Sequence, residues 1–256
     1  MILEKRFDGL TLIVERKKET HIKLPEGKGT LNVKCALGYE ISQLLKVARK
    51  SEWKDNDFSL EDGSIYFGNE EEKLGLQVKA SFFLLRENPY QDLNNILALL
   101  QAKGLKYKFT RIDICYVLDT PIFRELTKSN FKNIDTNERK RNKDLYWFSS
   151  FSTIFGVVCY DKQRQLKKIK KKQPKYFETY KAKYGEKAIY HFELRFFQFE
   201  QKNHKTKIIT RRIPSVWEEI LDFQKVEEEI RHEILGRVKF HGAILHLLKT
   251  KGGQPK

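Results

Sequence analysis

The chain lacks several features that would classify it at once. No uncharged apolar stretch approaches the roughly 20 residues that span a bilayer as a helix, which excludes a helical membrane protein. The segment Met1 to Asp8 has no signal-peptide apolar core, so a cytoplasmic protein is expected. Cysteine is scarce: Cys35, Cys115 and Cys159 have no zinc spacing and cannot all pair, so buried thiols in a reducing compartment are expected. The histidines (His21, His191, His204, His232, His241 and His246) form no metal motif, and His241 and His246 are poorly spaced for one helix face. No internal repeat or Pro/Gly/Ser-rich linker divides the chain. Acidic residues are in deficit, 34 against 50 Lys+Arg. The resulting net charge of +16 makes a polyanion the default partner.

What is present argues for a folded core. At 256 residues, with 40% hydrophobic and 12% aromatic residues, the chain is not a disordered basic tail. One large domain or two small ones is expected. Residues 7–85 read as strands with turns: Leu10 to Glu15, Leu31 to Lys34, Ser64 to Phe67 and Leu76 to Leu85. Ile41, Leu44, Leu45 and Ala48 have helical spacing within that region. A second helix follows Asn88-Pro89, striped by Leu93, Ile96, Leu97 and Leu100 and ended by Gly104. Ser215-Val-Trp-Glu218 is a capping-box pattern opening a helix to about Leu235. Gly236 is expected to break that helix, and Phe240, Ala243, Ile244 and Leu247 stripe another before a frayed, basic end from Lys249 to Lys256.

Three strands place polar groups where strand chemistry disfavours them. In Phe109 to Leu118 the positions Ile112, Ile114, Tyr116 and Leu118 form one face, leaving Arg111 and Asp113 on the other. In Ile189 to Phe197 the residues Tyr190, Phe192, Leu194 and Phe196 face a core, while His191, Glu193 and Arg195 face away. In Ile154 to Tyr160 the residues Phe155, Val157 and Cys159 oppose Gly156, Val158 and Tyr160. If these strands are neighbours, Asp113, Glu193 and Tyr160 converge on one polar face.

Each candidate has a bland reading beside a chemical one. Asp113 and Glu193 either pair with Arg111 and Arg195 or serve as oxygen ligands for Mg²⁺ or Mn²⁺. Asp119 shares strand parity with Asp113 and is a third candidate ligand. Tyr160 is either a strand-end aromatic that packs or a nucleophile. Tyr176, Tyr180 and Tyr184, at i, i+4 and i+8, compete for that role, with packing or base stacking the plainer function. Lys162 and Arg164 are the nearest cations, suited to screening a scissile phosphate. Lys167, Lys168, Lys170 and Lys171 continue a basic run that is either a solvated face or a grip on a phosphate backbone. His191 is a supporting residue at best.

The three segments, in this order, resemble the Rep trans family of rolling-circle replication initiators. The first family motif is similar to Phe109-Thr-Arg-Ile-Asp-Ile114, the second to Val157-Val-Cys-Tyr-Asp-Lys-Gln-Arg-Gln165, and the third to His191-Phe-Glu-Leu-Arg195. The resemblance covers roughly residues 90–200. The chain departs from the family at Val158, where a basic residue is usual, and at Val117, where an acid is common. The approach to the tyrosine strand, Ser149 to Ile154, also matches poorly.

The resemblance implies an α+β fold with an extended, curved antiparallel sheet in two α+β halves, the second HUH-endonuclease-like. Helices are expected on one face, DNA on the other, and a helical segment at the C-terminus. The units expected are 1–106, 107–213 (catalytic) and 214–256. Tyr160 would be the nicking tyrosine, assisted by Lys162, with Asp113, Glu193 and Asp119 around Mg²⁺ or Mn²⁺. Arg111, Arg164, Lys167, Lys168, Lys170, Lys171 and Arg195 would contact DNA. A helicase and a second copy of the chain are further candidate partners, through the helices from Ser215 onward or otherwise. The alternative is a non-catalytic nucleic-acid-binding protein using a basic, aromatic sheet face.

Overall fold

The computed structural model describes residues 2–14, 21–23, 30–48, 58–70, 73–121, 137–138, 145–149, 155–197, 200–202, 208–210, 223–237 and 242–249. The chain opens with the long strand β1 (Ile2–Val14), followed by a small hairpin, β2 (His21–Lys23) and β3 (Thr30–Asn32). Helix α1 (Val33–Leu45) starts directly after it, so only the beginning of the strand expected over Leu31 to Lys34 is extended. β4 (Phe58–Ser59), β5 (Ile65–Glu70) and β6 (Lys73–Lys79) run antiparallel to one another. The strand expected from Leu76 to Leu85 stops at Lys79, and α2 (Ala80–Leu85) takes over. A short apolar run reads alike as a strand or a buried helix. Here Ser81, Phe82, Phe83 and Leu84 are all buried, a wrapped-round burial that a one-turn helix between two layers satisfies. α3 (Pro89–Ala102) is as expected: proline occupies its first turn, Leu93, Ile96, Leu97 and Leu100 are buried, and Gly104 beyond it has φ +63°.

The second part of the chain supplies β7 (Tyr107–Leu118), β8 (Asn137–Glu138), β9 (Leu145–Ser149) and β10 (Phe155–Asp161). Then come α4 (Lys162–Ile169), α5 (Pro174–Tyr184) and β11 (Tyr190–Phe197). A hairpin of β12 (Glu200–Lys202) and β13 (Ile208–Thr210) precedes α6 (Phe223–Arg237) and α7 (Gly242–Lys249). α6 continues through Gly236, where a break was expected. The expected cap at Ser215 to Glu218 and the tail beyond Lys249 lie outside the described residues.

Among the described residues, nine strands form one antiparallel sheet in the order β4-β5-β6-β1-β7-β11-β10-β9-β8. The two longest, β1 and β7, pair at its middle and join strands from both parts of the chain. One face carries the main core: Phe7, Leu10, Leu12, Ile112, Ile114, Tyr116, Val157, Cys159, Phe192 and Leu194 pack with residues of α1, α3, α6 and α7. Each large apolar side chain fully buried there is worth about 1.5–3 kcal/mol. Phe223 of α6 stands edge-on to Phe7 at 4.9 Å, and Glu227 accepts a 2.6 Å hydrogen bond from Tyr116 Oη. α6 therefore packs on the sheet.

Helices also cover part of the opposite face. Cys115 and Val117 of β7 pack there with Leu166 of α4, Tyr176 and Tyr180 of α5, Leu84 of α2 and Ile189. The fold is α+β with an extended antiparallel sheet, as expected, and α4 and α5 add a second layer to the face expected to be open.

Candidate active site

The site begins with an irregularity in β1. Phe7 pairs with Ile114 and Gly9 with Asp113, so Asp8 is an extra residue opposite no partner, a β-bulge. The bulge shifts the phase of the strand. Phe7 and Leu10, three apart, both enter the main core, while Asp8 turns to the other face with Arg6. Gly9 lets the strands approach closely beside it: a Cβ there would sit 3.3 Å from Asp113 Oδ2 and push that side chain back by a few tenths of an ångström. On the neighbouring strands Cys115 pairs with both Arg6 and Glu193, and His191 pairs with Tyr160. Asp8, Cys115, His191 and Glu193 consequently offer ligand atoms all within 4.8 Å of one another.

The Tyr-Asp-Lys motif has a local structural cause. Tyr160 lies at the end of β10, and Asp161 caps α4 by accepting a 3.0 Å hydrogen bond from the Arg164 backbone N–H. The cap turns the chain so that Lys162, the first residue of α4, points back beneath the sheet. Its ammonium is buried, 5.6, 5.2 and 5.8 Å from the ring centres of Tyr160, Tyr176 and Tyr180, and donates to Gln165 Oε1 at 2.8 Å.

Hydrogen bonds connect these groups into one network. Tyr160 Oη donates to Glu193 Oε1 at 2.5 Å and lies 3.3 Å from His191 Nδ1. Tyr180 Oη is 2.9 Å from His191 Nε2. His191 thus bridges the two phenols through its two ring nitrogens, and a metal at either nitrogen would replace one of these hydrogen bonds. Arg195 Nη2 donates to Glu193 Oε2 at 2.7 Å. Below, Arg6 donates to Glu4 at 2.9 Å and to Tyr184 Oη at 2.8 Å, and Lys183 donates to Glu4 at 2.8 Å, tying α5 to β1.

Burial and charge set the protonation states. Burial pushes the Tyr160 phenol well above its ordinary value, and the Glu193 charge adds to that. Burial also pushes Glu193 upward, but contacts with His191, Arg195 and the Tyr160 hydroxyl outweigh it and hold the carboxyl well below its ordinary range. Asp8 is raised to about 7, by burial first and then by the adjacent Glu193. His191 is lowered to about 3, by burial and by Lys162, and is neutral. Burial pushes Lys162 down, yet Tyr176, Asp8 and Glu193 together hold its ammonium above the ordinary value.

The residues present suit a divalent cation. Asp8 Oδ1 is buried and accepts no hydrogen bond, with Arg6 Nη2 3.8 Å away. A buried carboxylate oxygen that accepts no hydrogen bond, among three other donors, is free to take a metal as its short-range partner. Two carboxylates, an imidazole and a thiol at this spacing supply enough donors for one ion.

The sequence-derived candidates are distributed unevenly. Tyr160, Lys162 and Glu193 lie in the network. Asp113 is close by but committed: Arg111 grips both its oxygens, Nε at 2.8 Å from Oδ1, and Arg195 Nε stands 3.7 Å from Oδ2. Asp119 is exposed beyond the end of β7, bonded to Thr120, and outside the group. Of the expected Asp113, Glu193 and Asp119, Glu193 belongs to the four-donor group found among the described residues, together with Asp8, Cys115 and His191. Arg111 and Arg195 engage Asp113 and Glu193. Arg164, Lys167 and Lys168 are exposed on α4, with Lys170 and Lys171 exposed just after it; Lys170 lies over the Phe177 ring at 4.9 Å. Asp8, Arg6 and Cys115 were not among the candidates; His191, expected as a supporting residue, contacts both Tyr160 and Tyr180. The signal for Asp8 was available: Phe7 and Leu10 break period two around an Asp-Gly pair.

No protein-family model matches the chain, and no curated protein matches it. Among solved structures it is similar to one titled "Structure of Rolling Circle Replication Initiator Protein from Geobacillus stearothermophilus". The identity is 12%, over 93% of this chain and 87% of that one, with a TM-score of 0.46. No helix among the described residues is long and apolar enough to cross a membrane.

Proposed function

We propose that this protein initiates rolling-circle DNA replication by nicking one strand through Tyr160, in a catalytic unit of about 107–213 completed by β1, which supplies Asp8 and Arg6. The observation that carries the reading is the 2.5 Å hydrogen bond from the Tyr160 phenol to Glu193, beside the buried Lys162 ammonium and the four-donor group. A phenol is a poor nucleophile while protonated, and at rest the site keeps Tyr160 protonated and Glu193 ionised, so the proton moves along the existing hydrogen bond only as Oη bonds to phosphorus. Tyr160 Oη bonds to the scissile phosphorus as its proton passes to Glu193. The bond from phosphorus to the 3′ oxygen breaks, giving a 5′-phosphotyrosine and, with a proton from solvent, a free 3′-hydroxyl. Lys162 offsets the charge that gathers on the phosphate. A divalent cation held by Asp8, His191, Glu193 and Cys115 would supply Lewis-acid polarisation of that phosphate. Tyr160 is only 7% exposed beneath α5, so α5 moves aside when the strand enters. The exposed cations of α4 then hold the backbone of the incoming DNA.

Incubation with single-stranded origin DNA and a divalent cation should leave a covalent adduct on a denaturing gel. Its persistence in Tyr160→Phe would remove Tyr160 from the role. The second reading, a non-catalytic nucleic-acid-binding protein, is favoured by the Arg111–Asp113 and Arg195–Glu193 ion pairs, which explain two carboxylates without chemistry. It predicts salt-dependent binding and no adduct.

A further inference from the structure

The geometry points to a thiolate-ligated site, selective for a borderline cation of the Zn²⁺ or Co²⁺ class over Mg²⁺, with Cys115 as the ligand that sets the choice. The inference deepens the proposed function, since it concerns the ion of the same site. Three observations carry it. Cys115 lies on β7 directly between Arg6 on β1 and Glu193 on β11, so its side chain shares the face of Asp8, His191 and Glu193. All four ligand atoms lie within 4.8 Å of one another. Zn²⁺ with bonds of about 2.0–2.3 Å needs ligand separations of roughly 3.3–3.8 Å, so contraction by about 1–1.5 Å lets the four side chains hold one ion, and expansion to five-coordination leaves room for a phosphate oxygen. Lastly, Asp8 is a nine-tenths-buried carboxylate with one oxygen that accepts no hydrogen bond at the group, Arg6 Nη2 standing 3.8 Å away.

The donor set decides the ion. Mg²⁺ demands octahedral oxygen coordination and keeps several waters, whereas this group offers two oxygens, one imidazole nitrogen and one sulfur in a buried space. Three ionised ligands around M²⁺ leave one excess negative charge, which Arg6, Lys162 and Arg195 are placed to offset. Cys159 provides an internal contrast. It is buried too, but on the main-core face among apolar side chains, and has no such group around it.

The test uses the full-length metal-free chain titrated with Co²⁺. Ligation by Cys115 gives a near-ultraviolet thiolate-to-cobalt charge-transfer band, kept in Cys159→Ser and lost in Cys115→Ser. Zn²⁺ should abolish the band stoichiometrically, and a large molar excess of Mg²⁺ should leave it. Absence of the band, its survival in Cys115→Ser, or its displacement by Mg²⁺ would each overturn the proposal. In case Cys115→Ser does not fold, zinc-edge X-ray absorption of the Cys35→Ser/Cys159→Ser chain gives a second readout. It should show one sulfur scatterer at about 2.3 Å, and oxygen and nitrogen alone would refute the thiolate. The two readings separate cleanly: Tyr160→Phe should keep the band while losing the DNA adduct. A wild-type chain with the band and no adduct would sink the nicking function and leave the metal site standing.

Discussion

Replacing Asp8 by Asn in the metal-free protein should stabilise it, increasingly so as pH rises. A carboxyl with an ordinary value of 3.8 that titrates at about 7 when folded costs the native state about 4 kcal/mol once ionised, at about 1.4 kcal/mol per pH unit. Below pH ~4 both states are protonated and there is no penalty. Between pH ~4 and ~7 the native state holds a proton the unfolded chain has lost, so stability falls as pH rises and then levels off. His191, lowered from 6.5 to about 3, has the opposite slope: the unfolded imidazole binds a proton that the native one refuses, so stability rises up to pH ~6.5. The two slopes nearly cancel in the parent between pH ~4 and ~6.5, and only the difference between variant and parent isolates Asp8. That difference should be roughly 1–2 kcal/mol at pH 5 and about 4 kcal/mol at pH 8, apart from a constant offset for the amide. Urea unfolding in EDTA at both pH values measures it. A difference that does not change with pH would refute the placement of Asp8 beside Glu193.

Other consequences are simpler to test. Arg195→Ala leaves Glu193, 1% exposed, without its guanidinium; a loss of about 3–5 kcal/mol is expected by chemical denaturation, and a loss under 1 kcal/mol would show that the pair is not buried as described. Asp161→Ala removes the cap of α4 and should cost about 1 kcal/mol in a urea titration. It should also reduce adduct formation, since Lys162 depends on that turn; unchanged nicking would detach the ammonium from the chemistry. Lys167→Ala with Lys168→Ala should lower single-strand affinity and flatten the slope of log K against log salt by about 0.7 for each phosphate no longer neutralised. An unchanged slope would place the DNA elsewhere.

The legible parts of the molecule were those where one local rule dominates. Strand alternation put Arg111, Asp113, Glu193, Arg195 and Tyr160 on one face, and the register confirms their proximity. Proline, the apolar stripe and Gly104 defined α3 closely. α2 was misread because Ser81 to Leu84 are buried all round, which erases the period that separates helix from strand. Asp8 was missed because strand phase was assumed unbroken, and a bulge is a one-residue exception visible only against the partner strand. Cys115 was expected as a buried thiol and is one; its place between Arg6 and Glu193 was not legible, because both are more than 75 residues away in sequence. The tyrosines of α5 were correctly aligned on one helix face. Which surface they covered depended on the turn made by Asp161, and that turn brings them over the site.

The most direct measurement is mass spectrometry of the tryptic digest of the covalent DNA adduct. The nucleotide remnant should sit in the peptide Asp144 to Lys162, with fragment ions assigning it to Tyr160 and not Tyr146. A remnant in the peptide Tyr176 to Lys181 would move the chemistry to α5. Absence of any adduct on wild-type protein with origin DNA and a bound cation would contradict the nicking function itself.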